Sequence, residues 1–184
     1  TGVQTCALPI LKKYIAMGAD LVCYSGAKAI EGPTSGFICG RKDLTDAAKL
    51  HYKGIGRSMK IGKESMMGLL KAVEIYTGRD MAAHEAQLNA TVDQMIHALT
   101  GLPHIQVGKS WDEAGRNISR CRVDVESSCP LTALEIVAAL KDGDPAIYTR
   151  DHFANVGTIF FDPRPILPGD VAAIAEKMKK ILEG

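Results

Sequence analysis

Ser25-Gly26-Ala27-Lys28 is the sharpest chemical signal in this chain. An apolar run, Ala19 to Tyr24, reads as a buried strand that delivers the tetrapeptide on a turn. A lysine at the end of such a strand cannot easily return to bulk water. Desolvation disfavours the ammonium, and a neutral amine is what imine formation requires. Three residues earlier, the Ser25 hydroxyl can point at a phosphate held over the same turn. The loop that follows, Gly32-Pro33-Thr34-Ser35-Gly36, adds backbone N–H groups and the hydroxyls of Thr34 and Ser35 for a second phosphate contact. The spacing by itself is weak, because Ser-x-x-Lys occurs by chance in many chains and a solvated lysine on a turn satisfies it equally.

The elements that must hold these residues fall into two sets. In the first, a helix ends at Gly18, the strand Ala19 to Tyr24 follows, and a second strand covers Phe37 to Gly40. A helix is expected over Arg41 to Leu50, and His51 to Gly62, with three glycines, reads as a linker between domains. In the second set, Met66, Leu69, Leu70, Val73 and Tyr76 fall at helical spacing, as do Leu88, Val92, Met95, Ile96 and Leu99. Strands are expected at His104 to Val107 and Arg120 to Val125, flanking a turn at Asp112 to Gly115. Thr132 with Glu135 has the spacing of a capping box ahead of an apolar helix. Val156 to Phe161 reads as a strand. A last helix carries Val171, Ile174, Ala175, Met178, Ile181 and Leu182 on one stripe, with Lys177, Lys179 and Lys180 suited to its C-terminal dipole. The order α-α-β-β-α-β-β-α predicts a small open sheet covered by helices, hence an α/β class. The first set is too small to close a core alone.

Composition narrows the partners. Lys+Arg is 22 and Asp+Glu is 21, a net charge of +1, so no strongly basic face offers itself to nucleic acid or an anionic membrane. No apolar run is long enough to suggest a membrane span. Cys23, Cys39, Cys121 and Cys129 are widely spaced, with neither a Cys-x-x-Cys nor a zinc-type pairing with histidine, which agrees with structural thiols, no metal and a cytoplasmic setting. Residues 1–10 resemble the in-frame translation of a sequencing adapter and are set aside as a non-native artefact.

The stretch from Gly18 to Ile30, with Gly32-Pro33-Thr34-Ser35-Gly36 and Gly40-Arg41-Lys42-Asp43-Leu44, resembles the lysine segment of fold-type-I pyridoxal-phosphate enzymes. Gly56 to Glu64, Pro145 to His152 and Asp162 to Asp170 resemble the selenocysteine-synthase-like branch, in particular its ammonia-lyases acting on D-glucosaminate 6-phosphate. The resemblance runs over essentially all of Leu11 to Gly184.

It implies the C-terminal part of a pyridoxal-phosphate-dependent transferase fold: the end of the large cofactor-binding domain and a linker over 11–62, and a small α/β domain over 63–184. The cofactor implied is pyridoxal 5'-phosphate. Lys28 matches the lysine that bonds the cofactor aldehyde, and Ser25 matches a position that hydrogen-bonds its phosphate. Thr34 and Ser35 lie in a loop that reaches a phosphate across a dimer interface in related folds. Arg150 stands where the small domain presents an arginine to the substrate carboxylate, a task that suits a guanidinium fork. Arg57 and Lys60 are candidates for a second anionic group, although solvated charges on a linker describe them equally well. His152 lies two residues beyond Arg150.

The aspartate that holds the pyridine nitrogen belongs, by the same resemblance, to the part of the large domain before Leu11. The chain alone is then expected to bind cofactor poorly and turn over little. The resemblance implies ammonia removal from a 2-amino-2-deoxy sugar acid by a homodimer or higher homo-oligomer. Its rivals are transfer of selenium onto a seryl-tRNA, another amino-acid reaction on the same cofactor (aminotransferase, aldolase, racemase), and a packing module without activity.

Overall fold

The computed structural model describes residues 7–112 and 117–184. Contacts divide the chain into two units, Thr1–Ala82 and Ala83–Gly184. The resemblance implied a domain boundary after residue 62; the division by contacts falls later, between Ala82 and Ala83. The physical reason lies in helix α3, Lys63–Gly78, which buries Leu69 and Tyr76 against Ile30 and so completes the core of the first unit. No helix among the described residues is long and apolar enough to cross a membrane.

In the first unit, α1 (Ala7–Ala16) begins inside the ten residues set aside and stops where expected. Gly18 has φ +101° there, and the Gly18 and Ala19 amides donate back to the carbonyls of Ile15 and Tyr14. Strands β1 (Leu21–Ser25) and β2 (Gly36–Gly40) pair antiparallel, from Leu21 opposite Gly40 to Ser25 opposite Gly36. The expectation of a buried strand is corrected here: β1 alternates exposed and half-buried positions. One face of the ribbon, with Val22, Tyr24, Phe37 and Cys39, is half-buried, and Tyr24 stacks on Phe37 at 5.3 Å. The other face, with Leu21, Cys23 and Ile38, is exposed. Helix α2 (Lys42–Leu50) follows. The expected linker is instead two short 3-10 turns, His51–Lys53 and Ile55–Met59, inside the same unit. Leu70, expected to pack, is exposed on α3.

In the second unit, β3 (Ile105–Trp111), β4 (Ser119–Val125) and β5 (Thr158–Phe161) form an antiparallel sheet in that order. Where a fourth strand was expected, a single bridge pairs Arg150 with Phe160. The turn expected at Asp112 to Gly115 lies, beyond Asp112, outside the described residues. The register sets Cys121 opposite Phe161 and Val123 opposite Ile159, so these four share one face. Onto that face pack Val92, Met95 and Leu99 of α4 (Met81–Leu99), Ile136 and Leu140 of α5 (Ala133–Lys141), and Ile174, Met178 and Leu182 of α6 (Asp170–Glu183). Burial pushes the Cys121 thiol up to about 12, an inert structural thiol as expected.

The capping box forms: the Glu135 amide donates to Thr132 Oγ1 at 3.3 Å and the Thr132 amide donates to Glu135 Oε2 at 2.7 Å. Lys177 departs from expectation. Its Nζ donates to the carbonyls of Leu140 and Pro145 at 2.7 and 2.8 Å, so it caps the end of α5 instead of serving only its own helix. Leu140 is fully buried. Leu140→Ala is therefore expected to destabilise the second unit by about 2–5 kcal/mol, read by urea unfolding, because the cavity cannot collapse between a sheet and three helices. A loss below about 1 kcal/mol contradicts the packing described.

Candidate functional site

The loop between β1 and β2 is closed by its own backbone. The Gly26 amide donates to Ser35 O at 2.9 Å, the Glu31 amide to Lys28 O at 2.9 Å, and the Gly32 amide to Gly26 O at 2.8 Å. Helix α3 seats it from beneath. Ile30 packs into the core beside Leu69 and Tyr76, and Pro33 lies against Gly68, where a Cβ would come within 3.0 Å of its ring. Gly26 is required by close approach, since a Cβ there would stand 2.3 Å from Ser35 Oγ and 2.6 Å from Leu69 Cδ1. Glu31 adopts φ +59°, and its carboxylate accepts bonds from the Arg79 guanidinium at 2.6 and 3.3 Å.

Lys28 stands on the crest of this loop and is exposed, which corrects the expectation of an amine withdrawn from water. The cause is local: Gly26 and Ile30 are the buried anchors, and Ala27, Lys28 and Ala29 between them stand outside. Ser25 and Thr34 are exposed on the same loop. Ser35 is half-buried, and its hydroxyl donates to Pro33 O at 2.6 Å, so it serves the turn. The structure therefore gathers Ser25, Lys28, Thr34 and Ser35 on one closed loop. Arg57 and Lys60 are exposed on a separate turn of the same unit, where the Lys60 amide donates to Arg57 O. One amine and two exposed hydroxyls on a backbone-closed loop are a donor set that fits an aldehyde carrying a phosphate, as pyridoxal 5'-phosphate does. A larger open cleft of about 320 Å³, lined by Ile38, Thr45, Lys49, His51, Tyr52 and Met59, contains none of the residues singled out from the sequence.

In the second unit, Arg150 and Phe160 exchange backbone bonds, at 2.9 Å from the Arg150 amide and 3.2 Å from the Phe160 amide. That pairing sets Arg150 on the same sheet face as Phe160 and Arg122, opposite the helix-covered face. A cavity of about 60 Å³ opens there, lined by Arg150, Arg120, Asp112, Trp111, His152 and neighbouring rings. His152 stacks on Phe160 at 5.9 Å. Arg150 Nε is buried and has no hydrogen-bond partner among the described residues. A buried donor in that state costs about 1–3 kcal/mol until something accepts from it. A carboxylate oxygen is the natural acceptor.

Sequence reasoning missed the ion network beside this cavity. Arg120 donates to Asp112 at 2.8 Å and to Asp162 at 3.2 Å, and Arg164 donates to Asp162 at 2.7 Å. Arg120 and Asp112 are both more than nine-tenths buried. Burial works against the Asp162 charge, but the side-chain and backbone bonds from Arg164, with the Arg120 bond, outweigh it and hold the carboxyl down at about 2. Asp162 and Arg164 enter the sequence reading only as part of a stretch that carries the resemblance, without a role of their own. No local signal marked the network: β4 alternates Arg120, Arg122 and Asp124 with Cys121 and Val123, and nothing in that pattern tells that Arg120 is the buried charge that needs a carboxylate partner.

Comparison with known proteins places the chain. The family model described as SelA, L-seryl-tRNA selenium transferase, matches residues 3–101. A D-glucosaminate-6-phosphate ammonia lyase of Salmonella typhimurium is 40% identical over 185 residues, covering 98% of this chain and 48% of the relative. A 5'-C-glycyluridine monooxygenase-decarboxylase of a Streptomyces species is 35% identical, covering 94% of this chain and 43% of the relative. An L-seryl-tRNA(Sec) selenium transferase of Moorella thermoacetica is 27% identical over 96% of this chain. The solved structure of a D-glucosaminate-6-phosphate ammonia-lyase superposes with a TM-score of 0.78 at 41% identity, covering 92% of this chain and 45% of that one. The chain spans about half the length of the curated relatives it matches. With a family model over more than half of its residues, and an α/β architecture that matches part of an ammonia-lyase structure, the chain belongs to the SelA family.

Proposed function

We propose that the whole protein carrying this chain is a pyridoxal-phosphate-dependent lyase that removes ammonia from a 2-amino-2-deoxy sugar acid of the D-glucosaminate-6-phosphate type. The observation that carries this reading is the exposed Lys28 amine on the crest of a loop whose backbone and α3 contacts fix it. The likeness to a D-glucosaminate-6-phosphate ammonia lyase over 98% of the chain supports the substrate class. When bound, the cofactor supplies an aldehyde to hold an amine and a ring to accept electrons.

The chain's own residues do the rest. Lys28 Nζ would hold the cofactor aldehyde, and as a free amine it would take the proton from the substrate Cα. Ser25 would donate a hydrogen bond to the cofactor phosphate, and Thr34 would reach a phosphate across the subunit interface, with Ser35 shaping the turn beside it. Arg150 holds the substrate carboxylate through the Nε donor that lacks an internal acceptor, which orients the Cα–H bond. Arg57 and Lys60 meet the sugar phosphate. Loss of the neighbouring hydroxyl as water, then hydrolysis, gives ammonia and a 2-keto-3-deoxy acid. The protein works as a homodimer or higher homo-oligomer in the cytoplasm.

The family description favours a second reading, selenium transfer onto seryl-tRNA. It shares the proton removal and elimination. A large polyanion calls for a basic surface, however, and the net charge of +1 does not advertise one. The deciding experiment incubates the whole protein and pyridoxal 5'-phosphate with D-glucosaminate 6-phosphate and, separately, with seryl-tRNA and selenophosphate. Ammonia release from the sugar acid alone is expected. Selenium incorporation without ammonia release overturns the lyase.

A further inference from the structure

We infer that Glu31 and Arg79 form a positioning pair that fixes the backbone of Lys28, so that the ion pair, and not the loop's own hydrogen bonds alone, sets where the amine stands. The inference rests on the reading of Lys28 as the cofactor lysine and deepens it. Glu31 closes the turn by donating its amide to Lys28 O at 2.9 Å, and it does so at φ +59°, where glycine carries no penalty and a residue with a Cβ does. A glutamate at that position must be held. Its carboxylate takes two bonds from Arg79, at 2.6 and 3.3 Å.

Arg79 is well placed to hold it, being the capping residue directly after α3. Its side chain is 22% exposed, and its guanidinium lies over the Tyr76 ring, 6.0 Å from the centroid. Tyr76 in turn is buried beside Ile30, the residue before Glu31. The cation is therefore anchored to the same core that anchors the loop, and the fork reaches the carboxylate from a fixed base. The Glu31 bond also holds the Arg79 guanidinium above its ordinary value. Glycine at 31 would free the turn. Glutamate tied to α3 keeps Lys28 in one place while leaving its side chain outside.

The test uses the whole protein with Arg79→Gln, Arg79→Lys and Glu31→Gly. Three quantities are read: hydrogen exchange at the Glu31 and Gly32 amides, the apparent affinity for pyridoxal 5'-phosphate, and the pH profile of its borohydride trapping on Lys28, located by mass spectrometry. Arg79→Gln is expected to speed exchange at both amides and weaken apparent cofactor affinity, each by about threefold, the scale of a partly exposed ion pair. The trapping profile moves with it, and Arg79→Lys restores most of both. Glu31→Gly removes the backbone penalty, so it folds, and is expected to show the same loosened trapping.

Trapping in Glu31→Gly and Arg79→Gln equal to the unsubstituted protein overturns the inference. Faster exchange with an unmoved trapping profile overturns it too, because the pair is then merely structural. Failure of the underlying reading looks different: no adduct on Lys28 in the unsubstituted protein, which ends both.

Discussion

Arg120→Ala is expected to lower the unfolding free energy of the second unit by about 3–5 kcal/mol, the cost of removing one partner from a buried ion pair. Asp112 and Asp162 both accept from Arg120, and Asp112 has almost no exposed surface through which water could replace the guanidinium. The single tryptophan, Trp111, directly precedes Asp112, so its fluorescence reports this unfolding in urea. Arg120→Met paired with apolar residues at 112 and 162 should recover much of the loss, since the penalty belongs to the stranded carboxylates.

The pH dependence has a definite sign. The folded Asp162 carboxyl, at about 2, lies below the ordinary aspartate value of about 3.9. Its contribution is therefore fully present above about pH 4 and is lost as pH falls toward 2. In Arg120→Ala the depression relaxes in part and acid unfolding sets in at higher pH. An Arg120→Ala loss below about 1 kcal/mol would contradict the buried network.

Why the sequence missed this network but found the helices is a matter of range. Periodic apolar positions report local geometry, so Val92, Met95 and Leu99, or Ile174, Met178 and Leu182, declare their buried stripe without help from elsewhere. The Thr132–Glu135 box closes within four residues and was legible for the same reason. Arg120 and Asp162 are brought together only by the β4–β5 register, which no local pattern encodes. Glu31 and Arg79 meet only because Ile30 and Tyr76 share a core. The strand β1 was misread as buried because an apolar run states what a strand can bury, not what is there to bury it. The described residues cover one face of that ribbon, and Cys23 and Ile38 on the other are exposed.

The same argument separates the structural and chemical roles of Lys28. Its side chain is exposed on a loop whose fold depends on Gly26, Ile30 and the Glu31–Arg79 pair, so Lys28→Ala should leave stability within about 0.5 kcal/mol of the parent. Ammonia release by the whole protein should nonetheless fall by about 10²–10⁴-fold, the range for losing a positioned base, with the covalent hold on the cofactor lost as well. Lys28→Arg separates charge from chemistry: it keeps a cation on the crest, but a guanidinium stays protonated and can neither bond the aldehyde nor take a proton. It should be as inactive as the alanine variant, and a small primary amine in solution should restore part of the alanine variant's rate. Unchanged melting with abolished turnover assigns Lys28 to the chemistry. Turnover within about tenfold of the parent in either variant removes the amine from the mechanism and leaves the loop a structural turn.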